Sequence, residues 1–206
     1  MITLDLKSLV AKLNNPIRNA LEGAAGLCMA RTHYNVEIEH WLLKLLEIPD
    51  TDLASILNRF DIDIGKFTRE LNRELDSIKT GNTRAPALSP NIVDLTKTAW
   101  MLASVEYGHP QTTSAHILGA LMLDEGLNRS TSVTGGELKK IAPESLRDVI
   151  RAIVGSTNES LSNVTANDSA RHAASGPTGT PSLTLNKGRL IPFWGEMRRS
   201  DRSLTS

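Results

Sequence analysis

Few residues of this 206-residue chain could carry chemistry, and four of its five histidines come as two pairs. His33 and His40 stand seven apart, and His109 and His116 repeat that spacing 76 residues further on. Imidazole ligates metals and exchanges protons near neutral pH, so a repeated pair raises both possibilities. A metal needs converging partners, yet no carboxylate and histidine stand at i, i+3 or i+4 in matching places of the two copies. The histidines are therefore expected to be structural, sited where helices begin. Cys28, the only cysteine, could act as a nucleophile beside one of them. It falls on an apolar helical stripe, which predicts a buried and inert thiol. Asp50 and Asp52, and Asp61 and Asp63, are spaced like acid/base couples, but each couple precedes a helical pattern and is expected to cap it. No Gly-x-x-x-x-Gly-Lys-Ser/Thr loop occurs, and the nearest fragment, Gly65-Lys66-Phe67, lacks both the upstream glycine and the hydroxyl that holds magnesium. No catalytic, cofactor-binding or metal-binding residue is predicted.

The elements that must position these side chains read as short amphipathic helices. Leu6, Leu9, Val10 and Leu13 recur at i, i+3, i+4 and i+7, giving a first helix with one aliphatic stripe. Asn14-Asn15-Pro16 ends it and starts the next, since asparagine caps a helix and proline is tolerated in its first turn. The same period continues through Ile17, Leu21, Ala24 and Cys28, and again through Phe67, Leu71 and Leu75. Lys79 to Pro90 interrupts it with one glycine and two prolines. A repeat stands on either side of that break: Leu42, Leu45 and Leu46 match Leu118, Leu121 and Met122 at the histidine offset, and Ala24-Ala25 is aligned with Trp100-Met101. With three extra residues in the second copy, Ile62, Phe67, Leu71 and Leu75 match Ile141, Leu146, Ile150 and Val154. The expected architecture is all-α and duplicated: a pseudo-twofold domain over residues 1–154, with repeats at about 14–78 and 90–154.

Lysine plus arginine equals aspartate plus glutamate at 23 each, so charge favours neither nucleic acid nor an anionic membrane. A single cysteine excludes an internal disulfide framework, and neither a leader pattern nor a membrane-length apolar run occurs; a reducing, cytoplasmic setting is expected. From residue 155 to 185 the composition falls to Ser, Thr, Asn, Ala, Gly and Pro, which predicts a flexible linker. Residues 186–206 form a basic tail, five basic to two acidic, expected to be unstructured.

Ala20-Leu21-Glu22-Gly23-Ala24-Ala25-Gly26-Leu27-Cys28, leading into Arg31-Thr32-His33-Tyr34-Asn35-Val36-Glu37-Ile38-Glu39-His40-Trp41-Leu42, resembles the N-terminal Clp repeat domain of Hsp100 unfoldases. Residues 2–14, and Ala99-Trp100-Met101-Leu102-Ala103-Ser104-Val105-Glu106-Tyr107-Gly108, are similar to the ClpV type, the AAA+ ATPases that dismantle the contracted sheath of type VI secretion systems. The resemblance covers residues 1 to about 155 and implies a hexameric motor in the full-length relatives, none of whose ATPase segments follows here. Such a relative continues with a segment like Asp-Pro-Val-Leu-Gly-Arg-Asp-x-Glu-Ile. Read one base over, Phe193-Trp194 and Trp194-Gly195 force Leu and Gly in that order, so a frameshift near the end of the linker is the expected origin of the tail.

The resemblance implies a recognition domain, monomeric when isolated, that binds an N-terminal helix of the larger sheath subunit. The alternative is a general Hsp100 N-domain, like those of ClpA or ClpB, that contacts unfolded chains or an adaptor. A supernumerary first helix beside a duplicated bundle creates an apolar groove of the kind that accepts a helix. Leu6, Leu9, Val10 and Leu13 are its expected partner-binding residues, with Leu88 and Ile92 after the inter-repeat break. Aliphatic stripes are usually core, so at least half of these six are expected to pack inside. Purified chain is expected to release no phosphate from ATP above background; turnover surviving repurification overturns the reading.

Overall fold

A computed structural model describes residues 6–131, 133–154, 157 and 159. The sequence repeat appears as two four-helix units. The first contains α2 (Asn15–Ala30), α3 (Ile38–Leu46), α4 (Asp52–Arg59) and α5 (Ile64–Ser77), preceded by the short helix α1 (Leu6–Val10). The second contains α6 (Pro90–Met101), continued by a π-helical turn (Leu102–Glu106), then α7 (Ser114–Leu123), α8 (Glu125–Ser130) and α9 (Pro143–Ile153). Two-residue strands β1 (Asn35–Val36) and β2 (Ala87–Leu88) are the regular extended elements among the described residues. The basic tail and nearly all of the linker lie outside those residues.

Helix starts follow local chemistry. The side chains of Asn14, Thr51, Asp63, Ser89 and Asp124 accept from N–H groups in the first turns of α2, α4, α5, α6 and α8. Of the aspartate couples, Asp63 caps directly and Thr51 caps in place of its neighbours. Asp50 and Asp61 instead turn the chain in the left-handed region, at φ 55° and 52°. Helix α7 is buried on every side from Ser114 to Met122 and forms the axis of the core, as its nearly unbroken apolar sequence requires.

The halves are interlocked by exchanged backbone pairs. β2, at the start of the second repeat, pairs in parallel with β1 of the first. The counterpart is Leu13, at the start of the first repeat, which forms a parallel bridge with Thr112 of the second: Asn14 N–H donates to Thr112 O at 3.1 Å, and Thr112 N–H to Lys12 O at 2.9 Å. Each unit thus completes the other.

Burial corrects one alignment made from the sequence. Ala24-Ala25 does not correspond to Trp100-Met101, because Ala25 is buried while Met101, its partner at that offset, is exposed. The buried series Ile17, Ala20, Ala24 and Cys28 is matched by Ile92, Leu95, Ala99 and Ala103, an offset of 75 rather than 76. The extra residue enters after Ala103, and the π-helical turn absorbs it, since an i→i+5 turn holds one residue more than an α-turn.

Gly119 marks a close helix contact in the second unit. A Cβ there would lie 2.8 Å from both Leu102 Cδ2 and Ile150 Cδ1, whereas Gly26 in α2 faces open space. Gly119→Val is expected to destabilise the fold by about 1–3 kcal/mol through overpacking, and Gly26→Ala to stabilise it by up to ~1 kcal/mol through helix propensity. Urea unfolding of both variants measures the two signs together.

Candidate partner-binding site

Helix α1 lies on α6, and its stripe is largely spent on that contact. Leu9, Val10 and Leu13 are buried, as is Ile92 on α6. Leu6 at the start of α1 and Leu88 on β2 are half-buried and retain apolar surface. The structure therefore brings the α1 stripe and α6 into one wall, while Leu88 is positioned by a different element, against β1. Leu6 and Leu88 are the members of the predicted set available for direct contact in the free domain, and the other four hold the wall in place.

Sequence reasoning passed over the exposed edge of that wall. Lys12, just past α1, sets its Nζ 4.9 Å from the centroid of the half-buried Trp100 ring, a cation–π contact that ties α1 to the end of α6. Next to Trp100, Met101 is 63% exposed and Val105 is 83% exposed, one turn apart. Large apolar side chains left open beside a packed helix mark a contact surface better than buried ones do. The available signal was the one-residue offset between repeats, which betrays the π-turn that carries Val105.

The histidine pairs are caps. In the first unit, His40 Nδ1 accepts from Glu37 N–H at 3.0 Å, and Nε2 lies 2.8 Å from His33 Nδ1. An acceptor at Nδ1 leaves the proton of neutral His40 on Nε2, so His40 donates to His33. The second unit repeats this, with Thr113 N–H donating to His116 Nδ1 at 3.0 Å and His116 Nε2 3.1 Å from His109 Nδ1. Both pairs fasten a helix start, α3 and α7, to the loop before it. Burial, and then the neighbouring imidazole, pushes His40 down to about 4 and His116 to about 3, and burial also lowers His33 and His109. Cys28 is equally committed: Sγ lies 3.1 Å from Asn35 O, and burial, with Glu37 adding, pushes its thiol up to about 11. That is the opposite of an activated nucleophile. Among the described residues, no three His, Cys, Asp or Glu side chains converge as a metal site.

A carboxylate assigned by composition to the linker is also fixed. Glu159 is 3% exposed and receives hydrogen bonds from Asn14, Asp52 and Ser114. Burial, followed by the Glu159 charge, pushes the Asp52 carboxyl up to about 6.

The sequence model of the Clp repeat (R) N-terminal domain matches residues 12–132. The AAA+ ATPase ClpV1 of Pseudomonas aeruginosa is 26% identical over 152 residues, which is 74% of this chain and 17% of that protein. The chaperone protein ClpB of Yersinia enterocolitica is 31% identical over 140 residues, 68% of this chain and 16% of that protein. The chain thus spans about one sixth of the length of these curated relatives. Among solved structures, a complex of a ClpV N-domain with a VipB peptide is 30% identical, with a TM-score of 0.60, over 71% of this chain and 89% of that one.

Protonating a capping histidine replaces the Nδ1 acceptor with a donor facing a backbone N–H. The folded-state values lie below the ordinary 6.5, so the native state binds fewer protons than the unfolded chain; this stability is complete above pH 6.5 and is lost as pH falls toward 4. Each histidine contributes a slope of up to about 1.4 kcal/mol per pH unit in that window. Asp52, shifted upward, acts with the opposite sign below pH 6. Urea midpoints measured from pH 7 to 4 are expected to fall, and less steeply in a His40→Gln, His116→Gln variant; identical slopes refute the assignment.

Proposed function

The chain belongs to the Clp repeat N-terminal domain family, and from that premise we propose that it is the recognition domain of a type VI secretion sheath-disassembly ATPase. It captures a helix from the N-terminus of the larger sheath subunit and brings the contracted sheath to the motor. The observation that carries this reading is the apolar edge at Met101 and Val105, fastened to the additional helix α1 by Lys12 and Trp100. A peptide complex of a ClpV N-domain with the same fold supports it. An amphipathic helix laid along this edge buries its apolar face against Leu6, Met101 and Val105, with Leu88 a further candidate contact. Leu9, Val10, Leu13 and Ile92 support the surface from beneath.

Recognition here needs no catalysis by the chain itself. The matched family region is the N-terminal domain, and the motor's hydrolysis of ATP belongs to ATPase modules in the full-length relatives. Residues 1–154, with Thr157 and Glu159 packed against them, act as a monomeric cytoplasmic module, with the rest of 155–185 as linker and 186–206 as tail. No helix among the described residues is long and apolar enough to cross a membrane. The similarity to ClpB favours a second reading, a general N-domain for unfolded chains. The two differ in ligand, a defined sheath helix against any unfolded segment.

Removing an apolar side chain from such a contact forfeits ~1.5–3 kcal/mol, and tenfold in Kd is about 1.4 kcal/mol. Met101→Glu combined with Val105→Glu is therefore expected to weaken binding of the sheath-helix peptide at least tenfold while leaving Tm unchanged. Leu9→Glu or Leu13→Glu, which buries a charge, is expected to lower Tm sharply. Fluorescence anisotropy and thermal melting on the same proteins decide. Undiminished affinity in the folded double variant removes this edge from the site, and equal binding of an unfolded control chain favours the general N-domain.

A further inference from the structure

Glu159 lies beyond α9, outside the recognition surface, in a site built by three distant parts of the chain. Its Oε1 accepts from Asn14 Nδ2 and from Ser114 N–H, each at 2.8 Å. Its Oε2 accepts from Asp52 N–H at 2.8 Å and from the Ser114 hydroxyl at 2.5 Å. Asp52 and Ser114 are the first residues of α4 and α7, whose N–H groups have no acceptor within their own helices. The positive ends of two helix dipoles therefore meet one carboxylate. The Ser114 hydroxyl oxygen in turn accepts from Leu53 N–H at 2.8 Å, and the Thr157 hydroxyl donates to Asp52 Oδ1, adding a second tie from the same segment. A carboxylate withdrawn from water is costly unless its lone pairs are answered, and here four donors answer them.

Asn14 gives this site a reach beyond α4 and α7. Its Oδ1 caps α2 by accepting from Ile17 N–H at 3.1 Å, its own N–H donates to Thr112 O, and it directly follows Leu13 at the end of the α1 segment. The residue that holds Glu159 is thus the joint between α1 and α2.

We propose that Glu159 is a latch: its carboxylate ties residue 159 to the starts of α4 and α7 and, through Asn14, to the α1–α2 joint. With the latch closed, Asn14 is held by its cap, its backbone and the carboxylate together. Withdrawing the Glu159 carboxylate opens two helix starts to water and frees the Asn14 side-chain amide. A disturbance at residue 159 is then felt at the base of α1, the helix that borders the proposed partner site. Only this last consequence rests on the proposed function; the latch itself requires no partner.

Amide hydrogen exchange, read by NMR on the full chain at neutral pH, tests the latch without any ligand. In the wild type, the Asp52 and Ser114 amides are expected to be protected although neither has a helical acceptor. In Glu159→Ala they exchange at least tenfold faster, and the Asn14 amide accelerates with them, while Leu71 within α5 keeps its rate. Glu159→Gln, which retains the side-chain length and one acceptor, shows the same order with smaller changes and carries the test if the alanine variant does not fold. Unprotected Asp52 and Ser114 amides in the wild type overturn the proposal, as do rates unaltered by either substitution. Acceleration at Asp52 and Ser114 with Asn14 unchanged overturns the coupling, and equal acceleration at Leu71 reduces the effect to global instability. Because no peptide enters the measurement, failure of sheath-helix binding is recorded separately.

Discussion

Helix starts packed inside a small domain must have their N–H groups answered by the protein, because water cannot reach them all. Much of the polar interior follows from that constraint. Asn14, Thr51, Asp63, Ser89 and Asp124 answer locally, from the residue preceding each helix. At α3 and α7 the answer comes from an imidazole three residues ahead, which a second histidine holds in one tautomer. At the starts of α4 and α7 it also comes from Glu159, contributed from beyond the last helix. Groups that look like catalytic machinery in a one-dimensional reading are consumed by this task. A histidine whose Nδ1 already accepts a backbone proton, and whose Nε2 faces another imidazole, is poorly placed to act as a general base.

Duplication supplies the scaffold, and departure from it supplies the proposed partner surface. The units exchange backbone pairs at Leu13–Thr112 and at β1–β2, which ties each helix pair to the opposite half. Were the repeats identical, α6 would end as α2 does. The single additional residue after Ala103 is taken up in a π-turn, and near it Met101 and Val105 stand open to solvent. Apolar surface of that kind is tolerated when a partner covers it. The chain has equal numbers of basic and acidic residues, so an apolar helix contact fits its composition better than long-range electrostatic capture.

The all-α class, the duplication and most helix starts are legible along the chain, because these depend on short-range rules: the 3.6-residue period, proline and glycine at breaks, and capping side chains one to three residues from the groups they serve. The place of Cys28 in the core and of the histidines at helix starts is legible for the same reason. Tertiary structure decided what the local pattern left degenerate. An aliphatic stripe signals burial without saying against what, and only the packing of α1 on α6 separates buried Leu9, Val10 and Leu13 from half-buried Leu6. The change of offset by one residue hints at an insertion, but only burial shows which side chains correspond and that Met101 and Val105 stand at the surface. Glu159 lies in a stretch whose composition predicts a linker, yet its carboxylate meets donors from residues 14, 52 and 114. Those groups are separated by up to 145 positions and become neighbours only when the helices pack, so no spacing rule along the chain could have joined them.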